Sequence, residues 1–478
     1  MELKKINDFL WEISPAGEMK VPGRIYASLK LLEKIREDDS LKQVANVATL
    51  PGIVGFSLAM PDIHAGYGFS IGGVAAMDVE EGVVSPGGVG YDINCGVRLA
   101  KTNLKYDEIK DKIEKIVAKM FATIPSGVGS HGAIPKLSKE NLKEVLVKGS
   151  KWAVEKGYGK GEDIELTEER GAFDGADPDA ISKRAYERGQ DQLGTVGSGN
   201  HFVELSVVEE IYLPEVAEKM GIFLGQVVVF IHSGSRGLGY QVCDDYLRIL
   251  GGATSKYGIK LPDRQLACVP IKSPEGKQYI GAMKAAANFA WANRQILMAL
   301  TERAIMEALS ISPKNLGFQL IYDLAHNIAK FEEHTFGGKK VKVLVHRKGA
   351  TRAFGPGRAE IPAKYRQIGQ PVLLPGDMGR ASYLLVGTEK AMEETFGSSA
   401  HGAGRVKSRS QAIREGSSRN IAFELKEKNI IVMAEGKKTL LEEMPEAYKD
   451  VNEIAYVTEK SGISLRVCRM RPVGVIKG

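Results

Sequence analysis

A chain of 478 residues, 43% hydrophobic and 26% charged, is long enough for one large or two ordinary domains and has the balance of a globular protein, not a disordered one. Its 65 Lys+Arg against 59 Asp+Glu leave +6, too small a surplus for this length to claim a nucleic-acid partner, although a local basic surface stays open. The four scattered cysteines (Cys95, Cys243, Cys268, Cys468) fit neither a disulfide framework nor a CxxC site and read as reduced, mostly buried thiols.

In chain order, the opening MELKKINDFLWEI lacks the long apolar core of a signal peptide. Tyr106–Phe121 carries Ile109, Ile113, Ile116 and Met120 at spacings of three and four, which predicts an amphipathic helix. Residues 134–187 are polar and charged and are expected to form a peripheral excursion within a single domain spanning 1–478. Val227–His232 (VVVFIH) reads as a strand. Gly281–Leu309 is a helix candidate whose most apolar part is broken by Lys284, Asn293, Arg294, Gln295 and Glu302. A membrane span is therefore not expected, and nothing addresses the chain outside the cytoplasm. Val341–His346, Pro371–Leu374, Ile430–Ala434 and Ile463–Val467 read as further strands, and Pro362–Ile368 as a short helix. Interleaved strands and helices predict a mixed α/β (α+β) class: one compact domain with mixed sheets and a site built from Gly-rich loops.

The unusual number is glycine, at 54. Runs such as Ser85-Pro-Gly-Gly-Val-Gly-Tyr, Thr195-Val-Gly-Ser-Gly-Asn and His232-Ser-Gly-Ser-Arg-Gly lie beside His, Asp, Asn, Cys or Arg. Glycine lets backbone approach a ligand closely, so these runs read as binding loops. Of eight histidines, His201, His232, His326 and His401 each adjoin Gly, Asn or Asp in this way, and together they point to a metal site. Asp92 and Cys95, three apart, can face one centre from a compact turn. A carboxylate, a thiolate and several imidazoles exceed the needs of one ion, which suggests two divalent ions bridged by sulfur and suited to displacement at phosphorus. Ligand softness puts zinc first, with iron or manganese open. The residues alone also admit a two-metal phosphohydrolase or cyclic phosphodiesterase, or a non-catalytic RNA-binding protein.

The motifs Pro61-Asp-Ile-His-Ala-Gly-Tyr-Gly, Gly88-Val-Gly-Tyr-Asp-Ile-Asn-Cys-Gly, Gly197-Ser-Gly-Asn-His-Phe-Val-Glu, His232-Ser-Gly-Ser-Arg-Gly, Asp323-Leu-Ala-His-Asn and Ala400-His-Gly-Ala-Gly-Arg resemble, in order and along essentially the whole chain, the RtcB RNA ligase family. The resemblance implies a GTP- and manganese-dependent ligase that joins an RNA 3′-phosphate or 2′,3′-cyclic phosphate to a 5′-hydroxyl in tRNA splicing and RNA repair. It implies two Mn²⁺ ions in place of zinc: Cys95 bridging, Asp92 and His201 on one ion, His232 and His326 on the other. His401 becomes the nucleophile that takes GMP, Asp62 the group that fixes its tautomer, and Asn200 a further catalytic residue. For the nucleotide the resemblance implies Asn200, His201, Phe202, Val203 and Glu204, then His326 with Asn327. It adds Pro375, Gly376, Asp377, Met378 and Ser382, the run His401, Gly402, Ala403 and Gly404, and Lys477 in the tail. Arg188, Arg236 and Arg409, beside these motifs, are candidates for RNA phosphates. The expected partners are broken RNA ends such as tRNA halves, and an activating archease.

Overall fold

The computed structural model describes residues 2–478. Two large sheets organise them. The first has seven strands in the spatial order Lys4–Asn7, Leu10–Ile13, Gly23–Tyr26, Ile53–His64, Ile71–Asp78, Lys339–Lys348 and Asn327–Phe336. The second runs Gln319–Ala325, Gly96–Lys105, Gln226–Ser233, Phe202–Ile211, Ser464–Lys477, Ser382–Gly387 and Pro371–Leu374, with Ile431–Ala434 alongside the strand Ser464–Lys477. Antiparallel pairs dominate, as expected where neighbouring strands start and end at opposite edges. The mixed α/β class expected from interleaved elements is the one observed.

Most expected elements recur with shifted ends. The helix expected at Tyr106–Phe121 is split: Tyr106–Ile109, a tight turn at Lys110–Lys112, then Ile113–Thr123 with Ile113, Ile116 and Met120 buried. The candidate at Gly281–Leu309 extends back to Pro274, where Ser273 caps the backbone N–H of Gly276 and proline takes a first-turn position that needs no N–H. The strand expected at Ile463–Val467 runs on to Lys477 and so ties down the C-terminal tail. Pro362–Ile368 is not a helix. Its bonds reach back three residues (Tyr365 N to Pro362 O, Ile368 N to Tyr365 O) and Gly369 N then returns to Tyr365 O, a chain of turns that Gly369, at φ +99°, closes.

The stretch 134–187, expected at the periphery, sends Leu142, Val145, Leu146, Trp152 and Ala153 into the largest hydrophobic core. Its charge is partly internal. Glu168 and Glu169 each accept from Lys330 at 3.0 Å, and Glu169 from Arg352 at 2.8 Å. High polarity therefore marks buried ion pairs there as well as solvated surface.

The long helix Pro274–Leu309 is buried along most of its length, and the polar residues that interrupt its apolar pattern act as pegs. Asn293 accepts from the N–H groups of Gly194 and Thr195 and donates to Ser233 Oγ and Gly234 O. Arg294 donates to Asn94 O, Ser233 O and the Asp323 carboxylate. Each partner adjoins a glycine-rich loop at one edge of the second sheet. Among the described residues no helix is long and apolar enough to cross a membrane.

Candidate active site

Register explains why residues more than two hundred positions apart meet. In the second sheet Ala325 pairs with Gly96, Gly96 with Ser233, Phe202 with His232, and Lys477 with Phe202. Cys95 and His201 immediately precede their strands, whereas His232, His326 and Lys477 lie at or just past strand ends. Antiparallel pairing puts all five at the same edge. His326 N donates to Cys95 O at 2.9 Å, which clamps the two loops together.

Asp92 and Cys95 occupy the expected compact turn, with Cys95 N bonded to Asp92 O at 2.9 Å. The turn requires Asn94 at φ +51°, a conformation asparagine tolerates better than most residues. Its amide is held at both ends, donating to Ala287 O at 2.7 Å and accepting from Arg294 at 3.0 Å.

The donor atoms converge. Cys95 Sγ is 3.2 Å from His201 Nε2 and 3.3 Å from His232 Nε2. His232 Nε2 is 3.3 Å from His326 Nε2, and His201 Nε2 is 2.9 Å from Asp92 Oδ2. Burial, reinforced by the neighbouring imidazoles, pushes His232 and His326 far below the ordinary histidine range, so both rings are neutral with lone pairs available. Burial and the Asp92 carboxylate push the Cys95 thiol well above its ordinary value. Burial also works to raise Asp92, but His201 and Arg236 outweigh it and hold the carboxyl below its usual value. A crowd of mutually unsatisfied acceptors around a thiol fits a metal ion, which would draw off the thiol proton and accept every lone pair. The residues present therefore fit the group implied by the sequence.

His401 follows the short strand Ser398–Ala400, and its ring centroid lies 4.8 Å from that of His326. Asp62, fully buried in the strand Ile53–His64, contacts it twice and Gly402 once. Asp62 Oδ2 accepts from the backbone N–H of His401 at 2.9 Å and of Gly402 at 3.2 Å, and meets His401 Nδ1 at 2.5 Å. Burial alone would raise this carboxyl, but the bonded imidazole holds it below its usual value, so Asp62 is an anion whose oxygen receives the Nδ1 proton. Nε2 of His401 is then the atom with a free lone pair. Gly404, at φ +67°, is required here because a Cβ would lie 2.3 Å from Asp62 O.

The cluster opens on a cavity of about 380 Å³. Its lining includes Asp92, Cys95, His232, His326 and His401, together with Asn200, Phe202, Glu204, Asn327, Pro375–Met378, Gly402–Gly404, Arg409 and Lys477. Lys477 donates to Gly199 O at 2.9 Å, and Glu204 stands two residues along the neighbouring strand from Phe202. Burial pushes the Glu204 carboxyl up to about 8.

Three residues of the expected nucleotide set are not in the cavity lining: His201, which faces Cys95 and Asp92, Val203 and Ser382. Strand alternation sends the Val203 side chain into the core between the cavity-facing Phe202 and Glu204, and Ser382 Oγ accepts from Gly376 N at 3.2 Å behind the cavity wall. Asn327 lines the cavity, but its amide links Asp92 O at 3.2 Å to Gly349 N at 2.8 Å. Of the arginines, Arg188 and Arg409 are exposed. Arg236 is turned inward, with Nε on Thr195 Oγ1 and Nη2 on Gly127 O and Ser130 Oγ.

The cavity also recruits residues that sequence reasoning passed over. Lys348 is buried, donates to Tyr67 O at 2.6 Å and Phe69 O at 3.1 Å, and burial pushes it down to about 7. A lysine beside glycine at the end of the apolar strand Val341–His346 was the available signal. Glu443 bonds Arg405 at 3.0 Å and the Tyr448 hydroxyl, and pairs with Lys477 at 3.5 Å. No sequence signal distinguished this carboxylate from its neighbours.

Comparison with known proteins follows the same outline. A family model described as tRNA-splicing ligase RtcB matches residues 43–478. Relatives named tRNA-splicing ligase RtcB include one from Archaeoglobus fulgidus, 54% identical over 478 residues, covering 100% of this chain and 99% of that protein. Another, from Thermococcus kodakarensis, is 53% identical over 477 residues (100% and 99%), and one from Nanoarchaeum equitans is 52% identical over 479 residues, with both chains covered in full. The chain belongs to the RtcB family.

Proposed function

We propose that this chain is an RNA ligase that seals RNA 3′-phosphate or 2′,3′-cyclic phosphate ends to 5′-hydroxyl ends by way of GMP carried on His401. Family membership makes it an RNA ligase of the tRNA-splicing kind. The observation that carries the finer reading is His401 itself: Nδ1 is committed to Asp62 at 2.5 Å, and the ring lies against the metal-donor cluster, 4.8 Å from His326.

In this reading His401 Nε2 attacks the α-phosphorus of GTP. An N–P bond forms, the bond to the oxygen bridging the α- and β-phosphates breaks, and pyrophosphate leaves. Asp62 holds the Nδ1 proton throughout, which keeps the Nε2 lone pair pointed at phosphorus and stabilises the ring as its charge grows. A cyclic end is first opened by water to a 3′-phosphate. An oxygen of that phosphate then attacks the GMP phosphorus and frees the imidazole. Finally the 5′-hydroxyl attacks the RNA 3′-phosphorus, gives up its proton, and GMP departs with the oxygen that joined them.

Two Mn²⁺ ions, held by Asp92, Cys95 and His201 on one side and Cys95, His232 and His326 on the other, would neutralise charge building on the phosphates. The near-equal distances from Cys95 Sγ to His201 and His232 support sulfur as the shared donor. Guanine suits the cavity because it offers N–H donors beside the O6 acceptor. Glu204 can accept the former and Lys477 can donate to the latter, from adjacent strands. Arg409 at the cavity and Arg188 outside it supply exposed guanidinium groups for RNA phosphates. Broken tRNA halves as substrate, an archease as activator and action in the cytoplasm belong to the same reading.

The test is incubation with GTP labelled at the α-phosphate, followed by addition of an RNA with a 3′-phosphate and one with a 5′-hydroxyl. Covalent label on the protein and a joined product are expected. Phosphate release without label or joining would mark a phosphohydrolase instead.

A further inference from the structure

Outside the donor cluster, one arrangement of side chains at the cavity mouth is unexplained by packing. Tyr67 and Tyr91 line the cavity, and their ring centroids are 5.7 Å apart at 71°. Tyr91 in turn stacks on Tyr240 at 4.8 Å and 25°. The Arg188 guanidinium lies 5.1 Å over the far ring. The series leads outward: Tyr67 is 37% exposed and Tyr240 46%. Tyr91 is closed in by its two neighbours, so the surface the series offers to an incoming ring is the exposed part of Tyr67 at one end and of Tyr240 at the other.

The support beneath it is rigid. Lys348 clamps the carbonyls of Tyr67 and Phe69, and Gly68 N donates to Gln265 Oε1 at 2.9 Å. Gly68 is at φ +72°, and a Cβ there would come within 2.4 Å of Gln265 O. Tyr91 directly precedes Asp92, and Tyr240 rides on the helix Arg236–Ala253 that follows the His232 loop. Two of the three rings are therefore carried on segments that also carry donors of the cluster. Near the track, Asp244 is paired with Arg248 at 2.7 Å.

We propose that Tyr67, Tyr91 and Tyr240, capped by Arg188, form a stacking track for the unpaired terminal bases of an RNA end whose sugar–phosphate chain runs into the His401 cavity. The inference rests on the ligase reading and names how that site holds its substrate. Every base has a π-face, so a ladder of rings accepts any sequence, as an end-joining enzyme requires. Arg188 now covers Tyr240 at 5.1 Å, so a base taking that face displaces the guanidinium, whose forked N–H groups then turn to the adjoining phosphate.

The test uses the full chain with two short RNAs, one ending in a 3′-phosphate and one beginning with a 5′-hydroxyl, each carrying 2-aminopurine in place of its terminal base. Stacking quenches that fluorophore, so wild-type binding should dim at least one RNA and thereby identify the end held. Tyr240→Ala should weaken binding of that RNA about tenfold and relieve the quenching, while Tyr240→Phe and Tyr240→Trp keep both. An abasic terminal nucleotide should erase the difference between Tyr240 and Tyr240→Ala. The dependence of affinity on salt should be the same in both, since stacking releases no counterions. Tyr67→Ala serves as a second variant on the opposite side of Tyr91. Unquenched 2-aminopurine on both RNAs, or equal affinity of wild type and both alanine variants, would overturn the track, as would Tyr240→Phe behaving like Tyr240→Ala. Uptake of labelled GMP by the wild-type protein in the same preparation separates the two proposals. With GMP uptake intact, such results remove the track alone; without uptake, the ligase reading itself falls.

Discussion

Two buried polar clusters sit side by side in this molecule and differ in one respect. Arg98, Arg294 and Asp323 are completely buried, and the single carboxylate takes both guanidinium groups at 2.7 Å, with Gln295, Asn94 and Ser233 accepting from the remaining N–H groups. Asp92, Cys95, His201, His232 and His326 are drawn together just as tightly, but they bring acceptors and a thiol with no cation among them. The clusters are neighbours in sequence too: Asn94 precedes Cys95, Ser233 follows His232, and Asp323 lies three residues before His326. A buried polar cluster whose valences are filled from within is framework, and one whose lone pairs all face a common point is built for a ligand. Here the first holds the loops that carry the second.

The comparison can be broken by experiment. The largest effect is expected at the acceptor of GMP: His401→Ala should abolish covalent GMP attachment, and any retained label, read on a denaturing gel, removes His401 from that role. Asp62→Asn should follow at about 10³- to 10⁴-fold slower labelling, because an amide in place of the anion no longer fixes the Nδ1 proton. A rate within a few-fold of wild type would reduce Asp62 to a turn residue.

Asp323→Ala sharpens the contrast between filled and unfilled clusters. It strands two buried guanidinium groups and should destabilise the fold by about 3–5 kcal/mol in denaturant titration. Cys95→Ala in metal-free protein should stay within about 1 kcal/mol of wild type yet lose metal by elemental analysis. If the two variants proved equally unstable without metal, the donor cluster would be framework as well.

The smallest effect concerns pH. Burial raises Glu204 to about 8, so at neutral pH the empty cavity holds it protonated. Accepting guanine N–H groups needs the carboxylate, and binding must then release a proton. Affinity for GTP should therefore climb by about tenfold per pH unit below 8 and flatten above it. A pH-independent affinity between 6 and 8, measured by calorimetry, would take Glu204 out of base recognition.

Much of the site was legible before any coordinates. Asp92-x-x-Cys95 required a turn, and the turn is there; four histidines beside Gly, Asn or Asp pointed to a metal site, and two of them, His201 and His232, meet Cys95, with His326 against His232. Arg236 and Val203 were legible only as members of motifs. Adjacency to a site residue does not determine where a side chain points, and strand alternation and the Gly127 and Thr195 acceptors turned both inward. Pro362–Ile368 misled because proline followed by Ala, Lys and Tyr resembles a helix start, whereas the chain folds back on itself at each turn. Polarity in 134–187 resembled surface because an ion pair and a solvated charge look the same in a one-dimensional string.

By itself the sequence determined which chemistry was available: one thiol beside a carboxylate, imidazoles in glycine-rich settings, and strands to carry them, since these follow from residue type and short-range spacing. Tertiary structure alone decided which of those groups touch. The antiparallel register of five strands delivers Cys95, His201, His232, His326 and Lys477 to one edge, and Asp62 of the first sheet meets His401, just past the separate short strand Ser398–Ala400, across 339 positions. Such contacts depend on long-range pairing, for which local propensity carries no information, and that is why Glu443, Lys348 and the tyrosine track came into view only with the fold.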